Sequence, residues 1–70
     1  MDKVSQHEQA YQRATQDAHG RYDSITDVEV ARQHLDLARA RHRNKAFPTH
    51  TSVADCEVLY ALWKKLGGID

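Results

Sequence analysis

Residues 25–40 read ITDVEVARQHLDLARA, and the way this stretch is read decides the fold. Thr26 stands three residues ahead of Glu29. That is the spacing of a capping box, in which a hydroxyl and a carboxylate satisfy backbone N–H groups that a helix start leaves unpaired. Ile25 and Val30 flank it as a candidate hydrophobic staple. Downstream, Val28, Ala31, Leu35 and Ala38 recur at steps of three and four and so share one helix face, while Val30, Leu37 and Ala40 occupy the adjacent one. Together they make a stripe wide enough to touch two neighbours, which makes this the expected central helix. It runs on through RARHRNK (39–45) and stops near Ala46-Phe47, because Pro48 disfavours helical geometry in the residue before it.

Upstream, residues 2–22 place Val4, His7, Tyr11, Ala14 and Ala18 on one narrow stripe. Small residues on a narrow stripe suit one close neighbour packed like a coiled coil. Gly20 weakens this helix near its end, and Tyr22-Asp23-Ser24 is turn-prone. Downstream of Pro48, Ser52 is the expected N-cap of a last helix, with Asp55 three residues on. Val53, Cys56, Leu59, Tyr60, Trp63 and Leu66 form its broad apolar face, Val58 and Leu62 widen that face, and Gly67-Gly68 stop the helix behind Lys64 and Lys65. No segment alternates with period two, so no sheet is expected.

The architecture implied is all-α: a single domain over residues 1–70 built as a small three-helix bundle, a helical hairpin plus a third packed helix. Trp63 and Tyr60 would anchor it. A chain of 70 residues buries only about 60% of its unfolded surface, so its core is lean. Five leucines, two isoleucines, five valines and one phenylalanine are its large aliphatic and benzyl residues, and nine alanines raise the hydrophobic fraction to 40%. Alanine favours helix but contributes little burial. Part of the broad face of the last helix would then stay uncovered in a monomer, and a homodimer or a protein partner would cover it.

Composition narrows the function classes. The single cysteine, Cys56, excludes an internal disulfide and fits a reducing compartment, so the cytoplasm is the expected location. No apolar run approaches the ~20 residues of a membrane span, and the polar start MDKVSQHEQAYQ lacks the apolar core of a secretory signal. Ten basic residues balance ten acidic ones. General attraction to phosphate is therefore weak, and any such attraction would have to come from a local patch.

The local patch is RARHRNK. Arg39, Arg41, Arg43 and Lys45 are spaced by two, so at about 100° per residue they fan around the axis. Cations at a helix C-terminus meet its dipole and unpaired carbonyls favourably, and that reading outweighs a groove-reading one. A helix-turn-helix is disfavoured because residues 46–51 are longer than its usual turn and the following helix opens with Asp55 and Glu57, the wrong sign for phosphates.

Five histidines, His7, His19, His34, His42 and His50, raise a metal question. No pair has the three- or four-residue spacing that brings two ligands to one helix face, and His50 with Cys56 would make an incomplete site. His7, on the apolar stripe, reads as a seam residue with sensitivity to mildly acidic pH. Cys56 near a helix start could be an activated thiol, but it shares a face with Leu59 and Trp63 and reads as a small buried hydrophobe. No phosphate loop, paired carboxylates or nucleophile elbow appears, and so small a bundle leaves little room for a substrate pocket. No catalytic residue, metal or cofactor is expected, and no small-molecule substrate.

The expectation that remains is a non-enzymatic protein-interaction module, a regulator, adaptor or inhibitor of a larger protein. Chains of this size and simplicity are common among phage- and mobile-element-encoded modulators. Its candidate contact residues are Arg39, Arg41, Arg43, Lys45, Tyr60 and Trp63, since Arg, Tyr and Trp are enriched at binding hot spots. The alternative is a nucleic-acid-binding accessory protein that uses the cluster at 39–45 on phosphates.

Overall fold

The structure, a computed structural model, describes residues 3–44 and 49–69, and the side chains of all of these except residues 3–5. It is an all-α bundle of three helices, α1 (Lys3–Tyr22), α2 (Val28–Asn44) and α3 (His50–Lys65). None of them is long and apolar enough to cross a membrane. Among the described residues there is no strand. The expected end of α2 near Ala46-Phe47 lies outside the described residues.

Each start differs in detail from the sequence expectation. At α2 the cap is Asp27, whose carboxylate accepts from the Glu29 backbone N–H at 2.8 Å, while its own carbonyl takes the Ala31 N–H at 3.0 Å. Thr26 therefore lies one residue outside the helix. Ile25 packs into the core and Val30 remains 38% exposed, so the two do not form the expected staple. At α3 the cap is Thr49, three residues ahead of Ser52. The Ser52 N–H donates to Thr49 Oγ1 at 3.1 Å, and the Thr49 N–H donates back to Ser52 Oγ at 3.0 Å. Ser52 thus fills the place usually held by Glu or Gln in a capping box, and helix begins a turn earlier than expected.

The larger correction concerns the centre. α3, and not α2, is the central helix: it packs along both α1 and α2, which among the described residues touch near their joint, Tyr22 against His34, and do not pack along their lengths. α2 and α3 run antiparallel as a hairpin, with His42 near Ser52 at one end and Arg32 over Trp63 toward the other. α1 lies on the opposite side of α3 in roughly the same sense, His7 beside His50 and Asp23 in a cleft with Lys65.

Among the described residues two apolar clusters result. Ala31, Leu35 and Ala38 of α2 meet Leu59 and Trp63 of α3, with Ile25, Val28, Cys56, Tyr60 and Leu66 around them. Ala14 and Ala18 of α1 meet Ala54 and Val58 of α3. Tyr22 touches both clusters, close to the joint where α1 and α2 diverge. The second face of α2, expected to meet another helix, is left open, with Leu37 at 55% exposure.

α3 ends in a Schellman motif. The Gly68 N–H reaches the Trp63 carbonyl at 2.8 Å, and the Gly67 N–H reaches that of Lys64 at 3.2 Å. Gly67 has φ +112°, which a side chain would strain. Gly68 serves a different need: a Cβ there would fall 2.2 Å from Trp63 Cε2, so the chain end lies directly on the indole.

Candidate functional site

Helix geometry sorts the arginines of α2 into two sets. Arg32, Asp36, Arg39 and Arg43 are separated by four, three and four residues, so they line one flank of the helix. That flank adjoins the aromatic side of α3. The Arg32 guanidinium carbon lies 5.1 Å from the Trp63 ring centre, and that of Arg39 lies 5.7 Å from Tyr60. From α3 itself, Lys64 Nζ stands 6.0 Å from the Tyr60 ring and 5.9 Å from Trp63. These are distances at which a cation feels the negative face of a ring. Tyr60 and Trp63 are themselves 6.0 Å apart and tilted by 53°.

The six residues named from sequence fare differently. Arg39, Arg43 and Tyr60 come together on this flank. Arg41 is exposed and follows Leu37 by four residues, which puts it with the open second face of α2. Trp63 is in the core at 5% exposure, so it shapes the face from beneath. Lys45 lies outside the described residues. Sequence reasoning missed Arg32, Lys64 and His42. The signal for Arg32 is in the sequence, since the periodic run on this flank begins there.

Between Asp36, Arg39, His42 and Arg43 lies an open cleft of about 400 Å³. Two of its lining residues have partners outside it. Arg32 Nε donates to Asp36 Oδ1 at 3.1 Å, and His42 Nδ1 lies 3.1 Å from the hydroxyl of Ser52, which is buried. The Arg39 charge also reaches Cys56, but burial of that thiol outweighs it and, with Asp55 adding, pushes the Cys56 pKa up. A thiol held protonated and packed against the core is a poor nucleophile.

The seam between α1 and α3 is polar on both sides of its alanines. His7 Nδ1 lies 3.4 Å from His50 Nε2, and the Tyr11 hydroxyl donates to Glu57. Arg21 donates to Asp55 at 2.6 Å, and that bond, against some desolvation, raises the Arg21 pKa further. His50 therefore faces His7 and is not paired with Cys56 as a thiol base would be. His19 lies 3.3 Å from Asp23 and His34 stacks obliquely near Tyr22, so the histidines are spread over both seams. Among the described residues no three His, Cys, Asp or Glu side chains converge as a metal site would need. Compared with protein-family models, curated proteins and solved structures, the chain has no match in any of the three.

Proposed function

We propose that this chain is a protein-binding module without catalytic chemistry of its own, a regulator, adaptor or inhibitor of a larger protein, acting through the α2–α3 flank around Tyr60. The observation that carries this reading is the placement of Arg39 over the half-buried Tyr60 ring, with Lys64 close to the same ring. An arginine already held against an aromatic surface loses less side-chain freedom when a partner arrives. Tyr and Arg in one patch, backed by a rigid core, is the composition of a binding hot spot. A reducing compartment such as the cytoplasm suits the one half-buried thiol.

The nucleic-acid reading has less support. α3, the helix that would read a groove if α2 and α3 formed a helix-turn-helix pair, packs against both α1 and α2, and its first turns carry Asp55 and Glu57. Leu37 and Val30, exposed on the other face of α2, are where a second copy would add its own contact, which leaves room for a homodimer.

The test is a pull-down from the native host, with and without nuclease, using Arg39→Ala, Tyr60→Ala and Arg41→Ala, each first shown to melt as a folded helical protein. A stoichiometric protein partner should survive nuclease, be lost with Arg39→Ala and Tyr60→Ala, and persist with Arg41→Ala. Material that disappears with nuclease, and depends equally on Arg39 and Arg41, would overturn the proposal in favour of nucleic acid.

A further inference from the structure

We infer that the cleft lined by Asp36, Arg39, His42 and Arg43 is, at its Arg39–Arg43 end, a binding site for a single carboxylate carried by an acidic polypeptide segment. The inference rests on the proposed protein-binding role of this flank and names the chemistry of the partner.

Two arginines and a histidine line it within about one turn of α2, a rise of about 6 Å from residue 39 to 43. Two of the three are held: Arg39 against Tyr60 at 5.7 Å, and His42 against the Ser52 hydroxyl at 3.1 Å. A guanidinium presents its donors in a planar fork that matches the two oxygens of a carboxylate. The site is compact and does not run on along the helix. At its other end, one turn before Arg39, the cleft is lined by Asp36, whose charge is met by Arg32 at 3.1 Å but which still presents oxygen atoms to an anion reaching that far. The next cation in sequence, Arg41, belongs to the open second face of the helix. A phosphate backbone gains affinity by meeting several cations in a row, each releasing a counterion. Here a row would meet Asp36 at its second step. One carboxylate fits, and the half-buried Tyr60 beside Arg39 offers apolar surface for the chain that bears it.

The probes are a hexaglutamate peptide, inorganic phosphate and a twelve-residue oligothymidylate, each titrated into the intact chain and followed by NMR of the arginine Nε–H and histidine ring signals. Hexaglutamate should shift Arg39, His42 and Arg43 saturably. Arg39→Gln with Arg43→Gln should weaken it at least tenfold, Arg41→Gln less than twofold. Phosphate at equal concentration should bind more weakly than the peptide. An oligothymidylate that binds more tightly than hexaglutamate, equal losses from Arg41→Gln and the double variant, or the lack of saturable peptide binding would each overturn the inference. Should the pull-down partner still depend on Tyr60 while hexaglutamate ignores the cleft, this inference fails and the protein-binding role stands. Should hexaglutamate bind as described while only nucleic acid is captured, the role fails and the site stands.

Discussion

α3 makes two seams, and they are built from different materials. Toward α2 it presents Leu59 and Trp63, which meet Leu35 over a floor of alanines, and the charged groups stay outside as cations over the rings. Toward α1 it presents Ala54 and Val58 against Ala14 and Ala18, and polar pairs flank them: Tyr11 with Glu57, Arg21 with Asp55, His7 with His50. Apolar burial is worth roughly 25 cal/mol per Å² and exposed ion pairs about 0–1 kcal/mol. The α2–α3 seam therefore carries most of the stability. The alanine seam buys close approach more than burial, and α1 is the helix whose docking costs least to undo.

The sharpest way to break this contrast is at Leu59, which is fully buried in the α2–α3 cluster. Leu59→Ala should cost about 2–5 kcal/mol, a large share of the total for so small a domain. Thermal melting followed by circular dichroism should show all three helices lost together at a much lower temperature. Next comes Gly68→Ala. Its Cβ would lie 2.2 Å from Trp63 Cε2, so the indole or the chain end must shift, at about 1–3 kcal/mol. Altered Trp63 fluorescence before melting would report it.

Ala18→Leu attacks the other seam at a fully buried position. The cost should again be about 1–3 kcal/mol, but in a different currency of structure: helicity should fall by an amount that matches α1 alone while Trp63 keeps its native emission. A loss of Trp63 signal in step with helicity would merge the two seams into one. The smallest effect is expected from Arg21→Ala, which removes an ion pair whose cation is 44% exposed. It should lower stability by about 0.2–1 kcal/mol in urea melts and less in high salt.

Much of this was legible in the sequence. Three helices followed from three- and four-residue spacing, and the glycine stop after α3 from Gly67-Gly68. The starts of α2 and α3 were displaced because cap-competent residues stand in pairs or near-pairs, Thr26 with Asp27 and Thr49 with Ser52. Which one caps depends on where the backbone leaves helical geometry, and composition does not encode that.

Which helix is central is hidden in the sequence for a related reason. The apolar stripe of α2 is wide, but Val30 and Leu37 in it face solvent, whereas Ala54 of α3 is fully buried. Periodicity records which residues share a face and not which face finds a neighbour. At the candidate site, counting charges from position 39 made the arginines look scattered. Counted from Arg32, all but Arg41 form a flank, and only the antiparallel packing of α3 reveals that aromatic rings lie beneath it.

The central claim is that α3 is held strongly by α2 and weakly by α1. Native-state hydrogen exchange, read residue by residue, tests it most directly. The amides of Leu35, Ala38, Leu59 and Trp63 should exchange only through global unfolding, while those of Ala14 and Ala18 exchange through a smaller opening that leaves the hairpin protected. Equal protection in α1 and α3, responding identically to denaturant, would contradict it.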